Sequence, residues 1–320
     1  MINSDQLIRL CNSHNIDHLS AIKLDNNEIN DLSINFDRPV SVLSAAIPYE
    51  LNNADPTTIF GYVAPYTVRN YYKILSERLK AVSKEILKIY GIKSDYKKHY
   101  RVFTNSIIDD KKLGLTTSLG FIGRNTLLLP WGIGSNFVIG HVIIDLELPQ
   151  ITPKFLRRSC GNCRACIDAC PTGAICENGT LDKAKCIHEL SNSDRWPDEI
   201  AEKKMIHLWG KRLFGCSRCV EVCPLNQDCR SIEESIGYIG EVYDPYRVIE
   251  HDKSVVKKLF AGNQLSLSWI NSFALIRNAL TAILNNGDVD TVKQYINSNK
   301  NGLNSNELDE LNKIFENLNF

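Results

Sequence analysis

Seven of the chain's eleven cysteines fall into two runs, Cys160-x2-Cys163-x2-Cys166-x3-Cys170-Pro171 and Cys216-x2-Cys219-x3-Cys223-Pro224. That spacing is the signature of a pair of 4Fe-4S clusters, and so of electron transfer. A cubane needs four thiolates converging from different directions, so three come from one tight loop and the fourth from a distant segment. In two-cluster ferredoxins the Cys before the proline ligates the other cluster. That crossing gives Cys160, Cys163, Cys166 and Cys223 to one cluster. It gives Cys170, Cys216 and Cys219 to the other, which is one thiolate short. Cys176, Cys186 and Cys229 are the candidates for the missing ligand, and Cys186, in the Leu181-Asp182-x3-Cys186 segment between the runs, is preferred. A zinc site would show two C-x2-C pairs without the x3-Cys-Pro ending. A disulfide framework would be expected behind a secretory signal, and none is visible.

The chain has 320 residues, more than a usual single domain, so two or three domains with a sizeable core are expected. Lys+Arg and Asp+Glu both number 37, so the formal net charge is zero. No global electrostatic push towards nucleic acid or anionic membrane follows, and any nucleic-acid contact must be local. Met1 to Leu10 lacks a cationic region followed by an apolar stretch, and no run of about 18 apolar residues occurs. These features predict a soluble, cytoplasmic protein with no membrane partner, in a compartment reducing enough for oxygen-sensitive clusters.

The elements that must position the cysteines read as mixed α and β. Ser4 can cap a short helix carrying Leu7, Leu10 and Cys11, and Val40 to Ile47 is an apolar run stopped by Pro48. A long helix is predicted from Thr67, with Val68, Tyr72, Leu75, Leu79, Val82 and Ile86 on one face and Gly91 ending it. Phe137 to Leu148 reads as a buried strand interrupted by Gly140. Two glycine-bearing stretches, Gly120 to Asn125 and Trp131 to Ser135, lack the three-glycine dinucleotide pattern, so no NAD or FAD is predicted. Their glycines serve either as turns or as points of close backbone approach to a large flat cofactor.

After the second run, Trp269, Phe273, Ile276, Leu280 and Ile283 form a helical stripe ending at Asn285-Asn286-Gly287. A second helix follows around Val292 to Ile296, and Ser305 can cap a last one with Leu308, Leu311, Phe315 and Leu318 inward. This tail reads as a truncated helical-repeat cap or as a docking tail over a core face. The expected organisation is α+β: an N-terminal domain over residues 1–150, a ferredoxin-like double-cluster domain over 151–245, and a short helical-repeat-like tail over 246–320.

Read together, these residues resemble the epoxyqueuosine reductase family, cobalamin-dependent iron-sulfur enzymes related to reductive dehalogenases. The resemblance runs through Gly61-Tyr-Val-Ala-Pro-Tyr-Thr-Val-Arg-Asn-Tyr-Tyr72, Leu119-Gly-Phe-Ile-Gly-Arg-Asn-Thr-Leu127, Gly134-Ser135 and Asp145-Leu-Glu-Leu-Pro149. It continues through both cysteine runs, Cys186-Ile187, Arg212-Leu-Phe-Gly-Cys216 and Ile276-Arg-Asn-Ala-Leu-Thr-Ala-Ile283. It implies reduction of an epoxide on the modified wobble base of tRNA, the last step of queuosine synthesis. It implies cobalamin in the N-terminal α/β domain, with Gly123, Asn125, Gly134 and Ser135 as the residues of this chain nearest to it. It also implies Cys186 as the replacement thiolate, an external electron donor such as ferredoxin or flavodoxin, and a monomer.

This chain departs from the family in one chemically pointed way. The family's catalytic acid lies in a Val-Asp-Ser-Ala-Pro segment, and here Tyr100-Arg-Val-Phe-Thr-Asn105-Ser106 puts an amide in its place. An amide cannot deliver a proton as a carboxylic acid does. Tyr100, Asp109, Asp110 or water are the substitutes, although Asp109 and Asp110 beside Lys111 and Lys112 read as a solvated turn. His141 stands where the family has Glu, and the family's Tyr-Leu-Thr-x-Glu after the replacement cysteine is absent. The departures leave two alternatives: a paralogue acting on another electrophile, or a non-catalytic electron carrier. For an anticodon loop, the local basic segments are Lys97 to Arg101, Lys154 with Arg157 and Arg158, Lys203-Lys204 through Lys211-Arg212, and Lys257-Lys258.

Overall fold

The apolar run around Val42 can tolerate no solvent-facing side, and in the computed structural model it becomes an inner strand, β2 (Ser41–Pro48), buried along almost its whole length. The structure describes residues 1–24, 40–51, 54–106, 108–154, 159–197, 203–226, 232–298 and 303–316. Their contacts divide into two interleaved units. Met1–Glu50, Tyr71–Cys163 and Cys223–Glu234 form the first; Leu51–Asn70, Arg164–Val222 and Ser235–Phe320 form the second. The consecutive division at residues 150 and 245 does not describe this arrangement, because short segments from elsewhere in the sequence complete each unit.

In the first unit β1 (His18–Lys23), β2, β3 (Tyr100–Phe103) and β4 (Phe137–Ile144) form one antiparallel sheet in the order β1-β2-β4-β3. Helix α1 (Ser4–Ser13) is capped by Asn3, not Ser4: the Asn3 side chain accepts from Gln6 N while the Gln6 side chain accepts from Asn3 N. Helix α2 spans Tyr71–Ile89, with Ile74, Leu75, Leu79, Val82 and Ile86 buried. Pro65–Thr67 form a separate 3-10 turn, and the helix starts at Tyr71, later than the apolar spacing implies. Its end is as expected. Gly91, at φ +81°, is followed by the paired bonds Gly91 N to Lys88 O and Ile92 N to Leu87 O that close a helix on a left-handed residue.

Gly140 does not interrupt β4, which runs through it. A Cβ there would lie 2.6 Å from Thr104 Cγ2 and 3.0 Å from Leu75 Cδ2 and Leu79 Cδ1, so the missing side chain is what lets α2 rest on the sheet. Gly140→Val is expected to lower stability by about 1–3 kcal/mol through overpacking. Chemical denaturation should show a lower midpoint with an unchanged slope.

The second unit is built around α4 (Ser272–Asn285), whose residues from Phe273 to Leu284 are all buried. Its stripe does not include Trp269, which lies before the Asn271 cap and is 49% exposed. Trp196, Trp209, Phe214, Val248 and Phe260 surround α4, as do residues of α5 (Val289–Ser298) and α6 (Ser305–Glu316). The C-terminal segment is therefore the centre of this unit's core and not a cap laid over it. The α6 cap is Asn304, which exchanges hydrogen bonds with Glu307 across the first turn, and not Ser305. Of the residues expected inward, Leu311 is buried and Leu318 lies outside the described residues. No described helix is long and apolar enough to cross a membrane.

Candidate functional site

Within the second unit, four cysteines from three separate segments come together. Cys219 feels the charges of Cys216, Cys186, Cys166 and Cys170, Cys186 feels that of Cys216, and Cys216 feels that of Cys170. Burial pushes the thiols of Cys186, Cys216 and Cys219 above the ordinary cysteine value, and their neighbours push them further. Grouped thiols held neutral by burial become thiolates where positive charge compensates them, which is what iron would supply. Backbone amides already point at the sulfurs. Ala174 N donates to Cys170 Sγ at 3.3 Å, His188 and Glu189 amides to Cys186, and the Arg218 amide to Cys216. Amide bonds of this kind tune the potential of a cluster. Among the described residues no three His, Cys, Asp or Glu side chains converge on the position of a single ion. A cubane, whose irons sit at separate corners, asks instead for thiolates spread around it. The donor set fits a cluster.

Cys186 is thus the one of the three candidates found with Cys170, Cys216 and Cys219. Cys176 turns its Sγ to Ala174 O at 3.9 Å, and Cys229 lies outside the described residues. All ten described cysteines are unbridged.

Two tyrosines that spacing alone does not single out stand behind this set. Tyr62, paired in parallel with Arg212–Phe214, brings its hydroxyl to Ser217 Oγ at 2.7 Å and to Glu221 Oε1 at 3.2 Å. Tyr66 lies over Gly215, where a Cβ would meet its hydroxyl at 2.1 Å, and bonds His188 Nδ1 at 2.6 Å. The Gly61 to Tyr72 motif was visible in the sequence; the strand pairing that carries it to Cys216 was not.

In the first unit the two glycine-bearing stretches each address a cysteine run. Gly120–Ile122 and Leu128–Pro130 pair as a ribbon, and in its turn Arg124 N donates to Cys160 Sγ at 3.4 Å and Arg124 Nη2 to Gly161 O at 3.2 Å. A Cβ on Gly123 would lie 2.1 Å from Leu129 Cδ1, and Asn125 Oδ1 accepts from Leu127 N. Gly134, at φ +96°, approaches the backbone of Leu225 and Asn226 so closely that a Cβ would be 2.5 Å away. Ser135 donates from N and Oγ to Asn226 Oδ1 at 2.9 and 3.0 Å. The close approach these glycines permit in this structure is to the chain itself. Their geometry does not call for a corrin.

Asn105 is exposed, at φ +46°, in the loop after β3, and Tyr100 is buried in the sheet. Of the two aspartates beyond it, Asp109 is exposed and Asp110 is not. Asp109 caps α3 (Asp110–Thr116), accepting from Lys111 N and Lys112 N. Asp110 is turned inward, its side chain 21% exposed, with Oδ1 3.5 Å from His141 Nε2. His141 is fully buried on β4 and its Nδ1 is 2.8 Å from Ser44 Oγ, its cross-strand partner on β2. Burial, with help from the charge of Asp109 and against a hydrogen bond from the Asn105 backbone amide, pushes Asp110 up to about 7. Burial pulls His141 down to about 4.

The basic segments fare unequally. Arg212 is buried, its guanidinium donating to the Leu208 and Trp209 carbonyls, and Lys257 Nζ caps the carbonyls of Leu267 and Ile270. These cations hold the fold and are not free for phosphate. Lys97 and Lys98 are exposed. Arg157 and Arg158, and the side chains of Lys203 and Lys204, lie outside what the structure describes.

Residues 159–226 match the family of 4Fe-4S double cluster binding domains. An epoxyqueuosine reductase of Aliivibrio fischeri is 33% identical over 210 residues, 61% of this chain and 52% of that protein, so the match spans about half of the relative's length. The epoxyqueuosine reductase structure from Streptococcus thermophilus superposes with a TM-score of 0.71 at 18% identity, covering 98% of this chain and 91% of that one. An epoxyqueuosine reductase bound to an epoxyqueuosine-modified tRNA-Tyr stem loop superposes with a TM-score of 0.69 at 19% identity, covering 99% and 98%. The chain is thus similar in sequence to epoxyqueuosine reductases over about half of their length, shares the fold of the solved ones, and carries a 4Fe-4S double cluster binding domain.

Proposed function

We propose that this chain is a cobalamin-dependent iron-sulfur reductase that removes the epoxide oxygen of epoxyqueuosine in the anticodon loop of tRNA. The convergence of Cys170, Cys186, Cys216 and Cys219 carries the redox half of this reading. Cys160, Cys163 and Cys166 with Cys223 are the ligands assigned to the other cluster by their spacing. The substrate half rests on homology to proteins that bear this activity and on a fold shared with one holding the modified stem loop.

The chain's own residues have definable tasks in such a reaction. The amides at Cys160, Cys170, Cys186 and Cys216 stabilise sulfur charge as the clusters cycle between oxidation states. Clusters pass electrons singly, and an external low-potential donor of the ferredoxin or flavodoxin kind refills them. A corrinoid supplies two-electron chemistry at cobalt that clusters lack. Its support here is likeness alone, since Gly123, Asn125, Gly134 and Ser135 are engaged with the chain.

Anaerobically purified, cluster-replete protein should convert an epoxyqueuosine-containing tRNA stem loop to the queuosine form in the presence of cobalamin and a chemical one-electron reductant. Omitting cobalamin should abolish conversion, and cob(II)alamin should change its paramagnetic resonance on adding the protein. A spectrum unmoved by the protein, with conversion absent, overturns the reading in favour of an electron carrier. A moved spectrum with no conversion means another electrophile.

A further inference from the structure

Removing the oxygen of an epoxide takes two electrons and two protons: both C–O bonds break, a C=C bond forms, and the oxygen leaves as water. The external one-electron donor acts twice to supply the electrons. The protons must come from an acid beside the oxygen, and position 105 carries an amide. We propose that Asp110 is the proton donor this chain uses instead, with His141 and Ser44 as the residues that position it; this rests on the reductase reading above.

Three observations carry the proposal. Asp110 lies next to position 105, since the backbone N–H of Asn105 bonds its carboxyl group. Its Oδ1 is buried with no hydrogen-bond partner, and the buried His141 Nε2 makes no well-formed bond, its ring facing the Asp110 backbone carbonyl as well as the carboxyl group. Oδ1 and Nε2 lie 3.5 Å apart, so one proton shared between them, after a small approach, satisfies two groups that are otherwise costly to bury. The third is rigidity. His141 and Ser44 sit opposite each other on paired strands, with the Ser44 hydroxyl 2.8 Å from His141 Nδ1, so the imidazole cannot swing away. The Ser44 O–H donates to Nδ1 of a neutral imidazole when Nε2 carries the ring proton, and accepts from it in the other tautomer.

The groups facing Asp110 are few. Asp109 and the Asn105 backbone amide come from its own segment, His141 from β4, and the Tyr72 hydroxyl from α2. Burial and the Asp109 charge both favour the protonated carboxyl, and only the Asn105 backbone amide opposes them. The acid is therefore loaded below about 7 and empties as pH rises through that value. A carboxyl group held neutral by an apolar site serves as a proton donor near neutral pH.

The test is single-turnover reduction of an epoxyqueuosine tRNA stem loop by cluster-replete protein with cobalamin, across pH, alongside an infrared titration of the protein's protonated carboxyl groups. Wild-type rate should fall about tenfold per pH unit once Asp110 ionises. Asp110→Asn should lose a factor of about 10² to 10⁴ and the pH limb with it, and Asn105→Asp on that background should restore part of the rate. His141→Gln should move the pH limb and the infrared titration together. Should Asp110→Asn fail to fold, Asp110→Glu, which keeps the carboxyl, must retain a displaced limb. An Asp110→Asn protein with wild-type rate and limb overturns the proposal, as does the absence of a carboxyl band titrating near neutrality and lost on that change. If the band is present and Asp110-dependent while wild type leaves epoxyqueuosine untouched, the substrate reading fails and the protonated carboxyl stands.

Discussion

Replacing Cys186 with serine is expected to cut the iron and sulfide of anaerobically prepared protein from about eight of each per chain to about four, because one cubane of two loses a ligand. The expectation follows from the surroundings of the thiol. Cys186 is drawn in beside Cys216 and Cys219, and amides from His188 and Glu189 are aimed at its sulfur. Serine keeps the shape but binds iron weakly and leaves those amides without a charged acceptor. Cys11→Ser and Cys176→Ser should keep both clusters. Cys11 is buried inside α1, its thiol pushed up to about 12 by burial alone, which is the state of an inert core residue. Iron content near eight in Cys186→Ser, with a loss in Cys229→Ser, would transfer the assignment to Cys229.

The largest stability loss is expected at Arg277. Its side chain has no exposed surface, yet it donates to Leu190 O at 2.7 Å and Ser193 O at 3.0 Å, stacks 4.8 Å over the Trp196 ring, and lies 3.9 Å from the Glu310 carboxylate. Burial pulls the guanidinium down to about 9, which still leaves it charged at neutral pH. Arg277→Leu removes one of the two arginines beside the buried Glu310 carboxylate, the other being Arg195 with Nε at 3.8 Å, and leaves the Leu190 and Ser193 carbonyls without their donor, so a loss of about 3 kcal/mol is expected. Glu310→Gln keeps an oxygen for the Trp196 amide, which donates to Glu310 at 2.7 Å, and should cost less. Equilibrium denaturation of the single variants and the pair gives the coupling directly. A loss below about 1 kcal/mol for Arg277→Leu would show that water or a relaxed core replaces the ion pair.

Arg277 also shows where reading the sequence stops. The stripe Phe273, Ile276, Leu280, Ile283 marks the helix correctly, but a count of apolar residues says nothing of the charged Arg277 beside it; the helix is buried all round because segments from elsewhere in the unit enclose it. The cysteine spacing was legible because cluster geometry is imposed by iron and sulfur and is written into the chain at fixed offsets. Asp110 was misread for the opposite reason. Two aspartates followed by two lysines are polar by composition, and only the sheet that carries His141 turns one of them inward. Gly134 and Gly140 each mark a close approach by a segment distant in sequence, which spacing alone does not reveal.

The interleaving of the two units has a consequence for how the protein is made. The first unit's main body ends at Cys163, but its last segment, Cys223–Glu234, is encoded after most of a stretch belonging to the other unit. At about 5–20 residues per second a ribosome needs roughly 4 to 14 s to deliver it. Throughout that interval the nascent sheet-bearing half lacks the strip against which Gly134 and Ser135 rest. The first unit is complete only once Glu234 has been made, and the second waits for the final helices. An early stop in the final helices would deprive the second unit of its core after every segment of the first has been made.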